Sequence, residues 1–238
     1  MKDIVLVHGA WQGASTWDPI VPALREAGHR VFTPVLTGTG PRAYELGADV
    51  GLERHVQDVL GYMTFEDLRD VVLVGHSYAG MVVTQAVEQC AERIAKLVYV
   101  DAFVPEDGQS AWDLLPGWLK EALDKQLVDG WRLPGFEKRL DLWGLKPGPH
   151  RDFVRTKLCD FPLKCFKDAV VLKANAAGKL PRAYIASTSE TYPARPVFEP
   201  FATRAKNEGW DHFELDTGHD SHVEASDECV RILRSLAT

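Results

Sequence analysis

The chain has 238 residues, 45% of them hydrophobic and 26% charged, an ordinary balance for a globular protein large enough to bury a substantial core. A net charge of −7, with no basic patch interleaved with aromatics, excludes a nucleic-acid partner, and no apolar run approaches the roughly 20 residues of a membrane span. A core strand begins just after Met1 and Cys90, Cys159, Cys165 and Cys229 lack CxxC or metal-like spacing, so no signal peptide, no metal and a cytoplasmic setting are expected.

In chain order, Ile4-Val5-Leu6-Val7 reads as a strand running into the turn His8-Gly9-Ala10-Trp11. A helix over Pro19 to Ala27 ends at Gly28, and a strand follows over Arg30 to Pro34. The loop Leu36-Thr37-Gly38-Thr39-Gly40-Pro41 lacks the third glycine of a dinucleotide fingerprint and opens no helix, so it is not read as a cofactor site. Leu52 to Phe65 has helical apolar spacing. Val71-Val72-Leu73-Val74 reads as a buried strand and Met81 to Ala91 as a helix, joined by the tight turn Gly75-His76-Ser77-Tyr78-Ala79-Gly80. Small residues around Ser77 allow a cramped backbone that pushes its Oγ out at the sheet end, while the start of the helix offers free N–H groups to an oxyanion.

Leu97 to Phe103 is the next strand, Ala183 to Ser187 the one after, then a helix from about Phe198 to Gly209. His212 to Asp216 is a late strand, followed by Thr217-Gly218-His219 and a terminal helix over about Ala225 to Leu236. Alternation of strand and helix implies an α/β fold around a mostly parallel sheet. The stretch 106–180 does not alternate. It carries Trp112, Trp118, Trp131, Trp143, Phe136, Phe153, Phe161 and Phe166 among five prolines, which suits short helices broken by turns. The expected organisation is a core of 1–105 and 181–238 with 106–180 as a helical cap. Each ring on its own reads as packing, but the set suggests an apolar, water-excluding pocket.

The turn at Ser77 is similar to the nucleophile elbow of the α/β-hydrolases, written here G-x-S-x-A because Ala79 stands where a second glycine is usual. The chain as a whole resembles that superfamily. His8-Gly9-Ala10-Trp11 and Val74-Gly75-His76-Ser77-Tyr78 resemble the plant methylesterase and hydroxynitrile lyase branch. The run from Leu97 to Ser110 resembles bacterial carboxylesterases of the pyrethroid-hydrolase type. The resemblance implies an α/β-hydrolase fold and a serine hydrolase that needs no cofactor. Its substrate would be a small carboxylic ester with a bulky hydrophobic acyl or alcohol part, cleaved through an acyl-enzyme.

On that resemblance Ser77 is the nucleophile and His219 the general base, with His222 three residues on as its rival. Ala10 and Tyr78 donate the oxyanion N–H groups, and Trp11, Trp112 and Trp143 line the substrate pocket. His8 and His76 read as structural neighbours. In the plant enzymes the triad acid follows the later strand, where this chain reads Ser187-Thr188-Ser189-Glu190, with Thr188 at the aspartate position. Asp101, at the end of the preceding strand, is therefore the expected acid, with Glu190 as the alternative. A strand-end Asp101 that merely caps a turn stays open. A lactonase acting on an aromatic or macrocyclic lactone is the alternative activity. Hydroxynitrile lyase is disfavoured because Asp220 replaces the lysine that follows the histidine in those enzymes, and a slow-turnover ligand receptor would differ only in its turnover.

Overall fold

The computed structural model describes residues 1–238. The chain runs β1 (Asp3–Val7), α1 (Val21–Glu26), β2 (Arg30–Phe32), α2 (Leu52–Phe65), β3 (Val71–His76), α3 (Ala79–Cys90) and β4 (Ile94–Val100). Short elements follow: α4 (Ala111–Leu114), α5 (Gly117–Gln126), β5 (Arg132–Leu133), α6 (Lys138–Leu142), α7 (Pro149–Arg155), β6 (Phe161–Pro162) and α8 (Lys164–Lys167). The chain then returns to the sheet through β7 (Arg182–Ser187), α9 (Arg195–Asn207) and β8 (Asp211–Leu215), and ends in α10 (Ser221–Glu224) and α11 (Ser226–Leu236). No helix is long and apolar enough to cross a membrane.

Six strands form one parallel sheet in the order β2-β1-β3-β4-β7-β8. Its central strands are apolar on both faces, as a sheet covered on both sides requires. Successive residues point to opposite faces, so Val5, Val7, Leu73, Leu97 and Tyr99 enter one core with α2, α3, α9 and the 106–180 stretch. Ile4, Leu6, Val72, Val74, Val98 and Val100 enter the other with α1 and α11. In a parallel sheet all strands end at one edge, and the loops beyond that edge are where a ligand site can be assembled. That edge carries Gly9 to Trp11 after β1, Ser77 after β3, Asp101 after β4, Tyr192 after β7 and His219 after β8.

Candidate active site

Ser77 adopts φ +57°, a left-handed conformation that a serine takes only when its surroundings enforce it. The enforcement is visible. Ser77 N–H donates to Val100 O at 3.2 Å, while its carbonyl accepts from Gly80 N–H at 3.1 Å and Phe103 N–H at 3.2 Å. A Cβ placed on Gly80 would lie 2.0 Å from Phe103 O, and one on Gly9 would lie 2.8 Å from Ser77 Cβ. Helix α3 and the β1 turn can therefore approach the serine only because these residues lack side chains. Ala79 is accommodated as the first residue of α3, fully buried; the close approach that demands glycine falls one residue later.

The β1 turn is held by His8, whose Nδ1 lies 2.9 Å from Gly9 O and whose Nε2 accepts from Leu36 N–H at 3.3 Å. Trp11 is left-handed as well, at φ +62°. Neither Ala10 N–H nor Tyr78 N–H donates to a protein acceptor, which leaves both free for a ligand. The Tyr78 side chain points inward, its hydroxyl 3.2 Å from His55 Nδ1.

His219 is fixed at both ends of its backbone. Its N–H donates to Trp143 O at 2.8 Å, and its carbonyl is 3.0 Å from His76 Nε2. Its Nδ1 lies 2.6 Å from Asp101 Oδ2. Strand β4 stops at Val100, short of Phe103 where the apolar run suggested, because Asp101 turns left-handed at φ +41°. That twist, anchored by Asp101 N–H on Ile185 O at 2.8 Å, swings the carboxylate toward the histidine. Tyr192 adds a contact that the sequence did not reveal. Its hydroxyl donates to Asp101 Oδ2 at 2.8 Å and lies 2.9 Å from His219 Nδ1. Ser187 N–H reaches Asp101 Oδ1 at 3.4 Å. Glu190 stands on the exposed part of the same loop.

Burial governs the charges here. It raises the pKa of the Asp101 carboxyl, while the hydrogen bonds from Tyr192 and Ser187 pull the other way and favour the carboxylate. It also lowers that of the His219 imidazole, which is neutral at pH 7. A neutral imidazole whose Nδ1–H is given to a carboxylate leaves Nε2 as an acceptor.

Ser77 and His219 line one cavity, together with Trp11, Phe103, Trp143, Phe166, Phe198 and Arg139, among others. Leu115, Leu119 and Leu123 from α4–α5 and their junction complete an apolar wall. Trp112 is not among the residues that line this cavity. It is half-buried, with Lys167 Nζ 4.3 Å from its ring centre, whereas Trp11 and Trp143 do line the cavity. Its position after the Ser110 capping box turns it toward α8 instead.

His222 lies behind His219 and does not line the cavity. Its ring packs on Trp17 with centroids 4.2 Å apart, and burial holds its pKa well below 6.5. With His76 and Asp220 it forms a buried set whose ligand atoms all lie within 4.8 Å of one another, the arrangement in this chain that could accept a divalent cation. Asp220 Oδ1 already accepts Gln12 Nε2–H at 2.7 Å, and His76 Nε2 is engaged with the His219 carbonyl. As it stands the set packs the back of the His219 loop.

The elbow, the free N–H pair and the histidine–carboxylate contact occupy one edge of a parallel sheet, and the sequence profile of the alpha/beta hydrolase family matches residues 4–232. The chain belongs to that family, and within it to the esterases. Among curated relatives it is 37% identical to the carbendazim hydrolyzing esterase of Nocardioides sp. (strain SG-4G), over 99% of this chain and all of that protein. It is 28% identical to methylesterase 2 of Arabidopsis thaliana, over 77% and 76% of the two chains. Among solved structures, an extracellular alpha/beta-hydrolase from a Paenibacillus species superposes with a TM-score of 0.85 at 25% identity, covering 100% of this chain and 99% of that one. That hydrolase is described as sharing structural and functional homology with tobacco salicylic acid binding protein 2.

Proposed function

We propose that the enzyme cleaves carboxylic esters with a bulky apolar part through an acyl-enzyme on Ser77. In this reading Ser77 Oγ attacks the ester carbonyl while His219 Nε2 takes its proton. The Ala10 and Tyr78 N–H groups hold the oxyanion as it forms. His219 then returns the proton to the leaving alcohol, and a water activated by the same imidazole releases the acid. Asp101 fixes the tautomer of His219 and balances the imidazolium that forms transiently. Tyr192 positions that pair from the side. The stretch 106–180 acts as the cap that excludes water from the apolar part of the substrate.

The observation that carries this reading is the 2.6 Å contact of Asp101 with His219, in a chain whose left-handed Ser77 shares a cavity with that histidine. The names of the relatives support the ester class, since esterase and methylesterase are what the two curated proteins are called. The test is a p-nitrophenyl ester series. Each methylene buried is worth about 0.8 kcal/mol, so kcat/KM should climb severalfold for each of the first few carbons beyond acetate. Ser77→Ala should abolish hydrolysis of every member with the melting temperature unchanged. A folded Ser77→Ala protein with wild-type rates refutes the proposal.

A further inference from the structure

Arg139 is the one lysine or arginine in the buried set of this chain, 4% exposed, and it lines the same cavity as Ser77 and His219. A cation removed from water is costly unless an anion accompanies it. None does. No carboxylate lies within 4.0 Å of the guanidinium, and Asp160, the acid whose field it feels, is committed elsewhere. One oxygen of Asp160 accepts Arg132 Nη1–H at 2.6 Å and the other accepts Gly135 N–H at 2.9 Å.

What Arg139 has instead fixes its position without neutralising it. Nε–H donates to Pro134 O at 2.9 Å and one Nη2–H to Gln126 Oε1 at 3.3 Å, while Nη1 has no protein acceptor. The guanidinium carbon sits 3.8 Å from the centre of the Trp11 ring and 4.9 Å from that of Phe136. Aromatic faces attract a cation but carry no net charge. The rest of the cavity wall is mostly apolar, 11 of 14 lining residues being hydrophobic, and Arg139 is the one cationic side chain among them. Burial draws the guanidinium down to about 9, which leaves it charged at neutral pH.

We propose that Arg139 anchors a carboxylate of the substrate, so that the preferred esters bear one free carboxylate besides the ester group. The inference rests on the proposed role of this cavity as the substrate pocket. A single uncompensated positive charge calls for a single negative one, and the free Nη1–H supplies the hydrogen bond that orients it. A planar carboxylate on a chain or ring meets both conditions within an otherwise apolar space.

The test uses monomethyl and dimethyl esters of the straight-chain dicarboxylic acids from succinate to sebacate, matched in length. In the wild-type enzyme at least one monoester should exceed its dimethyl counterpart tenfold or more in kcat/KM. Arg139→Met should lose or invert that preference, and Arg139→Lys should keep part of it. Diesters preferred at every length, or a ratio unmoved by Arg139→Met, would overturn the anchor. If the diesters are then still hydrolysed in a Ser77-dependent way, the esterase reading survives that failure. Calorimetric binding to the Ser77→Ala protein reads the anchor without turnover. The monoester should bind tighter than the diester, and equal or weaker binding counts against the proposal even if neither ester is cleaved.

Discussion

Asp101 is a carboxylate that its surroundings would rather keep neutral, and what it does depends on the donors turned toward it. Tyr192 O–H at 2.8 Å, Ser187 N–H at 3.4 Å and the His219 imidazole at 2.6 Å oppose the cost of burying its charge. Removing the charge while keeping the shape separates function from packing. Asp101→Asn should lower kcat by roughly 10³–10⁴-fold, the scale of a base held in the wrong tautomer, whereas Glu190→Gln on the exposed loop should leave it within twofold. Tyr192→Phe removes one hydrogen bond to a charged group, worth about 1.5–3 kcal/mol, and should lower kcat by about 10–100-fold with KM little changed. A dead Glu190→Gln enzyme would move the acid to the later loop. Asp101 was visible in the sequence as a charge misplaced at the end of an apolar strand. Tyr192 was not, because it comes from 91 residues further along the chain and nothing local marks a tyrosine as the partner of a distant aspartate.

At the scale of elements, legibility followed periodicity. Helix α2 occupies Leu52–Phe65, the limits its apolar spacing predicts. The terminal helix α11 starts at Ser226, within a residue of its expected limit, and Ala225, with φ of −130° and ψ of +54°, separates it from the short helix α10; His222 sits on α10, where it is packed rather than presented. The short helices α4 to α8 were legible only as a segment that does not alternate. The Ser110 capping box marks the start of α4 locally, but helices as short as α6 and α8 (5 and 4 residues) are held by tertiary packing that no local pattern encodes. The elbow offers the sharpest test at this scale. A methyl on Gly80 would meet the Phe103 carbonyl at 2.0 Å, a rigid backbone atom, so Gly80→Ala must shift α3 away from the segment that follows β4. Overpacking of this kind costs about 1–3 kcal/mol, and because the shift acts on Ser77 directly, Gly80→Ala should lose activity out of proportion to its loss in melting temperature. Retained activity with unchanged stability would mean that α3 can slide freely.

The whole molecule buries several histidines in neutral form. His8 and His55 are each held at about 4, and His76 and His222 well below 6.5, all chiefly by desolvation. As pH falls below 6.5 the unfolded chain takes up protons at these four positions that the folded chain refuses, so stability declines. Asp220, raised by burial to about 7, acts in the opposite sense, because between 3.8 and that value the folded state holds the proton, and the contacting pair Asp101–His219 shifts in both senses at once. Four sites against one leave a net loss on acidification, up to about 1.4 kcal/mol per pH unit for each net proton. The urea midpoint should therefore be lower at pH 5 than at pH 7. An equal or higher midpoint at pH 5 would show that the buried histidines are charged in the folded protein.

The central claim is that Ser77 is the atom that becomes acylated, activated by His219 within this cavity. A p-nitrophenyl alkylphosphonate reacts with an activated serine and stays bound, which makes the nucleophile directly readable by intact-mass measurement and peptide mapping. The expected result is one phosphonyl group per chain, located on Ser77, with hydrolysis lost in step with labelling. Ser77→Ala should remain unlabelled, and His219→Ala should label far more slowly, while His222→Ala should approach the wild-type rate. A label on another residue, or continued ester turnover by a chain fully labelled at Ser77, would contradict the account.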